Sequence, residues 1–371
     1  MDTFLYALRP AALDFCEGAS FLQSAFWGRF KARFGWEAHA FSVEWAGAPA
    51  ENPPSPLLAL TRPLVRGVGF AYIPWGPELP ATLAAPAQCP GSGASGLSAV
   101  RTRALVELAR ELRPHLPRNT AFVRFDPPWY NADGQSVPLL ERPLSRAAMD
   151  VQPASTVLIS LDQDDEALLA AMKEKCRYNI RLSARKGVAV RRCNETELDV
   201  FYRLFEETAK RDGIAIHSRD YYAALFALAK EAGCGIPVDI RLYIAAHEGE
   251  DLAAIITLFR GDEAVYLYGA SSNRKRNLMA PYLLQWTAIR DARASGCKRY
   301  DLFGIPPAND PAHPMAGLYR FKTGFGGRIV HRSGSWDFAC RPFARNLFAL
   351  AETLRKNFRA RKKNKNHRKQ N

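Results

Sequence analysis

Three β-rich runs, residues 240–246, 252–259 and 264–270, follow one another with only the turns 247–251 and 260–263 between them. Gaps that short force antiparallel pairing, because a parallel neighbour needs a crossover of about a dozen residues or more. Helical patterns flank the meander on both sides. The chain therefore reads as α+β.

The flanking elements follow from apolar periodicity and end signals. Upstream lie a strand over 156–161 and a helix over 164–176, with Asp164, Asp165 and Glu166 favouring its N-terminal dipole. A basic helix continues over 178–186 and stops at Gly187. A strand over 188–192 and helices over 195–210 and 220–232 come next. Downstream of the meander the pattern gives a helix over 281–296, a strand over 298–302 and a last strand over 329–333. The first part of the chain repeats a weaker version of this alternation. It shows a helix over 21–34, strands over 38–45 and 68–74, a Pro/Gly/Ala/Ser-rich loop over 80–98, a helix over 98–112 between Ser98 and Pro114, a strand over 120–125 and a connector over 129–153. Element order of this kind looks like the acyltransferase lobe of the GNAT type, twice over. The 371 residues then divide into a domain over 1–153, completed by 330–350, and a second over 154–329. Residues 351–371 read as a basic, disordered tail.

Composition narrows the function classes. At 47% hydrophobic and 24% charged, the chain can bury real cores. No apolar run reaches the roughly 20 residues of a membrane span; residues 15–34 are interrupted by Glu17, Arg29, Lys31 and Arg33. The N-terminus lacks the basic-then-apolar order of a signal peptide, so a cytoplasmic protein is expected, at most peripheral at the inner face of the membrane. Cys16, Cys89, Cys176, Cys193, Cys234, Cys297 and Cys340 are widely spaced with no CxxC pair, which argues against a disulfide framework and against a zinc site. No metal and no cofactor are expected.

The net charge of +14 is uneven. Residues 355–369 are basic with no acid, and residues 173–192 hold Glu174 as their one acid. Such excess points to polyanionic partners: RNA, phosphate-bearing substrates or an anionic membrane surface. Arg177, Arg181 and Arg185 share one helix face by their spacing and form a candidate phosphate-tracking row, with a plain solvated face as the alternative. Asp126 follows an extended strand and precedes two prolines. It and Asp301 are candidate general bases, although an acid at a strand end often only caps a turn. No Ser/His/Asp or Cys/His set demands a covalent nucleophile.

Several segments line up together. They are Ser20-Phe21-Leu22-Gln23-Ser24 with Trp27 and Lys31; Gly76-Pro77; Asp126-Pro127; Arg177-Tyr178-Asn179-Ile180-Arg181 through Lys186-Gly187-Val188; Lys210-Arg211-Asp212-Gly213; Ala280-Pro281-Tyr282-Leu283-Leu284; Gly296-Cys297-Lys298-Arg299-Tyr300-Asp301-Leu302-Phe303-Gly304; and Gly317-Leu318-Tyr319-Arg320-Phe321-Lys322-Thr323-Gly324-Phe325-Gly326-Gly327. From about residue 20 to about 340 the chain resembles the FemABX peptidyltransferases, which build peptidoglycan side chains and cross-bridges from aminoacyl-tRNA; the last block is the most specific.

The resemblance implies two GNAT-like domains without acetyl-CoA. It implies an aminoacyl-tRNA donor, and an acceptor amine on the stem peptide of UDP-MurNAc-pentapeptide or lipid II. Residues 195–240 leave no room for the long helical arm of some members, so a compact, armless member is implied; a monomer is expected. Lys322 and Phe321 match the motif that handles the charged tRNA end. Lys322 would supply a compact charge and Phe321 a stacking surface, with Gly324, Gly326 and Gly327 bringing backbone close to a ligand; core Phe321 and surface Lys322 is the plainer alternative. Lys31 matches the lysine that binds the acceptor's nucleotide or phosphate end. Arg211 stands where an acceptor-binding arginine is carried, with His217, Arg219 and Tyr222 as rivals for that register and an Arg211–Asp212 surface pair as the plain alternative. Tyr268 ends a strand facing the donor site or sits in the core.

Two other classes fit less well. One is another GNAT-type enzyme, an acyl-CoA N-acyltransferase or a tRNA-dependent protein-tagging transferase; a CoA enzyme wants a glycine loop for the pyrophosphate, and residues 271–277 are basic but lack glycine. A non-catalytic RNA- or membrane-surface-binding protein on a transferase fold would use the basic tail and leave Lys322 and Lys31 idle.

Overall fold

The structure is a computed structural model that describes residues 3–46, 48, 53–64, 67–84, 94–130, 139–231, 233, 235–311 and 313–367. Cys89 and Cys234 lie outside the described residues. The chain divides into two compact units, Met1–Ala154 with His331–Asn371, and Ser155–Val330.

The first unit begins with β1 (Leu5–Ala11), α1 (Ala25–Ala32), β2 (Glu37–Trp45), β3 (Ser55–Pro63), β4 (Gly69–Ile73), the single turn α2 (Ala81–Ala84), α3 (Ala94–Leu112), β5 (Thr120–Phe125) and β6 (Ser145–Arg146). The second unit supplies β7 (Ser155–Ser160), α4 (Asp165–Ala171), α5 (Glu174–Arg185), β8 (Ala189–Cys193), α6 (Leu198–Asp212), α7 (Arg219–Lys230), β9 (Val238–His247), β10 (Glu250–Arg260), β11 (Glu263–Ser271), α8 (Ala280–Ala294), β12 (Arg299–Asp301), α9 (Ala316–Lys322) and β13 (Arg328–His331). The chain then returns to the first unit as β14 (Trp336–Ala339) and α10 (Pro342–His367).

Each unit is built on one seven-stranded sheet. Their orders are β1-β2-β3-β4-β5-β14-β6 and β13-β7-β12-β11-β10-β9-β8. The meander is antiparallel, with Ile255 opposite Tyr243 on one side and Gly269 on the other. β12 joins β11 in parallel after the α8 crossover, placing Asp301 opposite Val265. In the first unit, Phe41, Ile73 and Phe125 pack with Leu105 and Leu108 of α3. In the second, Ile159, Ile255 and Tyr300 pack with Leu284 and Ile289 of α8. α6 and α7 are joined by residues 213–218 alone, so no arm is inserted there.

Three expectations are corrected. The helix expected from residue 21 starts at Ala25, because Ser24 is extended and its hydroxyl caps α1 by accepting from the Trp27 amide at 3.2 Å. The helix expected over 164–176 breaks at Met172 and Lys173, both extended. There the Lys173 amide donates to the Gly324 carbonyl at 2.9 Å, a tertiary bond that no local pattern reveals. Residues 351–367, expected as a disordered tail, are the continuation of α10. Its buried side is fastened by Arg124, whose guanidinium donates to Asp337 at 2.7 and 3.0 Å and to Glu352 at 2.8 and 2.9 Å. Phe348 packs its ring 5.1 Å from Phe122. The run of charge in the sequence hid this apolar and ionic seam.

Candidate functional site

The second unit gathers its unusual chemistry around Lys322. α9 ends at this lysine, which is only 6% exposed. Its Nζ donates to the Gly304 carbonyl at 3.0 Å and lies 4.9 Å from the centre of the Tyr266 ring on β11. Burial pushes its pKa down to about 7, against a pull upward from the Asp301 carboxylate. Asp301 closes β12 and is fully buried. Its Oδ1 accepts from the Phe303 amide at 2.7 Å and from the Thr156 hydroxyl, while its Oδ2 has no partner among the described residues. An unsatisfied buried carboxylate oxygen is costly, and its field keeps the neighbouring lysine from losing its charge altogether.

The turn that presents the Gly304 carbonyl is strained. Phe303 holds φ +58°, a left-handed conformation that costs a bulky residue on the order of 1–3 kcal/mol. The surrounding bonds over-determine it: Asp301 holds its amide and Lys322 takes the next carbonyl. Gly269 serves the same site by close approach. A Cβ there would sit 1.7 Å from the Tyr266 hydroxyl.

The two glycines that close the segment after α9 are placed differently from the expectation, while Phe321 takes the packed position given as its alternative. Gly326 and Gly327 have φ near +80°, and a Cβ on them would meet the Ala171 and Leu158 carbonyl oxygens at 2.8 and 2.6 Å. Their close approach is to the protein's own backbone, not to an open ligand cradle. Phe321 is half-buried in a trio with Tyr282 and Phe325, at centroid distances of 5.0 and 5.2 Å. On α5, Arg181 and Arg185 are exposed, whereas Arg177 donates to carbonyls of α4, including Ala170 at 3.1 Å. Arg177 is therefore a helix C-terminal clasp.

The acceptor-side candidates of this unit are tied into the fold. Arg211 donates to the Ser271 carbonyl at 2.8 Å, to Asn273 at 3.0 Å and to Asp212 at 2.9 Å, fixing the end of α6 to β11. Arg219 pairs with Asp199. His217 stacks on Tyr221 at 3.8 Å, and its amide donates to the Tyr222 hydroxyl at 3.2 Å. Tyr222 and Tyr268 lie 5.0 Å apart in an aromatic cluster with Phe205, and burial pushes the phenol of Tyr222 up to about 12.

In the first unit, Lys31 at the end of α1 sits 5.6 and 5.5 Å from the Trp27 and Trp36 rings. Arg62 covers the same Trp36 ring at 5.5 Å. Burial and then the Arg62 charge push the Lys31 pKa down to about 8. Trp36 and Arg62, with Thr61, Phe70 and Asn119, line a cleft of about 350 Å³. Two cations on one indole suit an anionic ligand. Lys31 was legible in the sequence; Arg62 was not, because only the pairing of β2 and β3 brings it alongside. Asp126 is 3% exposed and accepts from Tyr72 at 2.5 Å, from the Gln152 amide at 3.0 Å and from the Ser335 hydroxyl. Its carboxylate is committed to joining β5 to neighbouring segments. Among the described residues no cluster of His, Cys, Asp and Glu could hold a metal.

With two α+β units, each on its own mixed sheet, the fold is that of the structure described as FemX, which covers 92% of this chain and all of that chain with a TM-score of 0.71 at 18% identity. The model of the FemAB family matches residues 144–231 and 241–356, more than half of the chain. The chain belongs to the FemAB family. Among curated relatives it is similar to a lipid II:glycine glycyltransferase of Staphylococcus saprophyticus, 24% identical over 244 residues, and to one of Staphylococcus aureus (strain USA300), 22% identical over 266 residues. The matches cover 51% and 55% of this chain and 59% and 62% of those proteins.

Proposed function

We propose that this protein transfers an aminoacyl group from tRNA to the stem-peptide amine of a peptidoglycan precursor, UDP-MurNAc-pentapeptide or lipid II. The observation that carries the reading is Lys322, a lysine buried at the end of α9 with its Nζ set on the Gly304 carbonyl and the Tyr266 ring, where burial lowers its pKa to about 7 and lets it hold or release a proton. The relatives are lipid II:glycine glycyltransferases, which makes glycine the first donor to test.

The reaction needs no covalent enzyme intermediate. The acceptor amine attacks the ester carbonyl carbon of the aminoacyl-tRNA and forms a tetrahedral oxyanion. The bond from that carbon to the terminal ribose oxygen then breaks, the ribose hydroxyl leaves with a proton, and an amide remains. Lys322 as the free amine takes the proton of the attacking nitrogen, and as the ammonium it returns that proton to the leaving oxygen. The Gly304 carbonyl and the Tyr266 ring hold its Nζ in place. In the first unit, Lys31 and Arg62 over Trp36 supply the cationic seat for the phosphates of the acceptor.

The test uses tRNA charged with radiolabelled glycine, serine or alanine, and either acceptor. Label should enter the peptide, and both RNase treatment and Lys322→Met should abolish it. Transfer that survives Lys322→Met removes the lysine from the chemistry. Tight tRNA binding with no transfer to either acceptor would mean a binding protein, and absence of tRNA binding would mean another acyl donor.

A further inference from the structure

α10 carries a row of large apolar side chains on its outer side. Phe343, Leu347, Leu350, Leu354 and Phe358 recur at intervals of three and four and so share one face. They are between 57% and 85% exposed. At 1.5 Å per residue the row extends about 22 Å. The opposite side is the one fixed to the unit, through Phe348 on Phe122, Arg345 on Asp337 and Glu352 on Arg124. A contiguous apolar strip in water is unusual and marks an interaction surface.

Charge says what covers it. The one acid of α10, Glu352, is turned inward and spent on Arg124. Arg355 and Lys356 are exposed on the same stretch, and the sequence from there to Lys369 is basic with no acid. A second copy of α10 would add cations without a free acid to offset them, since Glu352 is spent on Arg124 in each. A nucleic acid would engage the cations and leave the apolar row in water. A bilayer carrying anionic phospholipid answers both at once, taking the row among its acyl chains and the cations at its phosphates. No helix among the described residues is long and apolar enough to cross a membrane, so such a helix lies on the surface. We propose that α10 is an interfacial anchor that lays Phe343, Leu347, Leu350, Leu354 and Phe358 into an anionic membrane surface.

The inference stands apart from the transfer reaction, because it is tested without tRNA or precursor. The full chain is sedimented with vesicles of phosphatidylcholine mixed with phosphatidylglycerol, and with vesicles of phosphatidylcholine alone. The wild type should bind the mixed vesicles, bind the neutral ones more weakly, and lose affinity as salt rises. Leu347→Ser with Leu354→Ser should weaken binding to the mixed vesicles by about tenfold or more, with an unchanged melting temperature, since both leucines are already in water in the free protein. Arg355→Gln with Lys356→Gln should reduce the preference for phosphatidylglycerol and leave the weak binding to neutral vesicles. Wild type that ignores both vesicles overturns the proposal. So does leucine-variant binding equal to wild type, which would reduce the effect to the basic sequence alone. Concentration-dependent dimerisation abolished by the leucine substitutions would assign the row to a second copy instead.

Discussion

Replacing Lys322 by methionine should remove one component of the pH dependence of folding. The lysine has an ordinary pKa of 10.5 and a folded value of about 7. Below the folded value it is charged in both states, and the full penalty of burying that charge weighs on the native protein. Between the two values the unfolded chain holds a proton that the folded chain lacks. Unfolding then takes up a proton, so stability rises with pH across this window. At 1.36 kcal/mol per unit the whole window is worth roughly 4–5 kcal/mol, and the part from about pH 7 to about pH 9 roughly 2 kcal/mol. Methionine has similar length and no titration, and every other ionisable group is common to the two proteins. Urea unfolding at the two pH values gives four stabilities. The wild type should gain roughly 2 kcal/mol more than Lys322→Met on going to the higher pH. Equal gains, within the error of the extrapolation, would mean that Lys322 keeps its ordinary basicity, and the proton-shuttling role would fall with it.

Three further outcomes follow from the geometry. Gly269→Ala should drive the Tyr266 ring off Lys322, since the new Cβ would lie 1.7 Å from the hydroxyl; turnover of the folded protein should fall at least about tenfold, with an overpacking cost of about 1–3 kcal/mol in stability, and unchanged turnover would remove Tyr266 from the site. Glu352→Ala should leave the Arg124 guanidinium half paired and cost about 2–4 kcal/mol in chemical denaturation, with faster amide exchange along α10; a loss below about 1 kcal/mol would mean the seam is not held there. Asp126 has its pKa raised from 3.8 to about 6, chiefly by burial, so its contribution is complete below pH 3.8 and lost as pH rises through 6. Asp126→Asn should therefore gain on the wild type by about 3 kcal/mol across that interval while keeping its transfer activity, and a dead but folded variant would return Asp126 to the chemistry.

The meander, the α8 helix and the strand ending in Asp301 were legible because each rests on local spacing: alternation, the 3.6 period, and turns too short for a crossover. Lys322 and Lys31 were legible as members of motifs. β1, β3 and β14 were missed, and so was the ordered course of α10. For α10, the basic run suggested solvation, whereas the buried Arg124 required the carboxylate of Glu352. Arg177 illustrates the same limit from the other side. Its helical register with Arg181 and Arg185 was right, but the break at Met172 turned its guanidinium onto the carbonyls of α4.

The sequence by itself determined that this is an α+β chain with antiparallel hairpins and a lysine carried by the Phe321-Lys322 motif. Only the tertiary structure decided what that lysine can do. Tyr266, Asp301 and Gly304 meet it from other parts of the chain, Thr156 holds Asp301 in turn, and Gly326 and Gly327 proved to be packing positions. A pKa is set by what surrounds a group in space and by how far water is excluded from it. Periodicity fixes which face a residue occupies; it carries no information about which remote segments will close over that face.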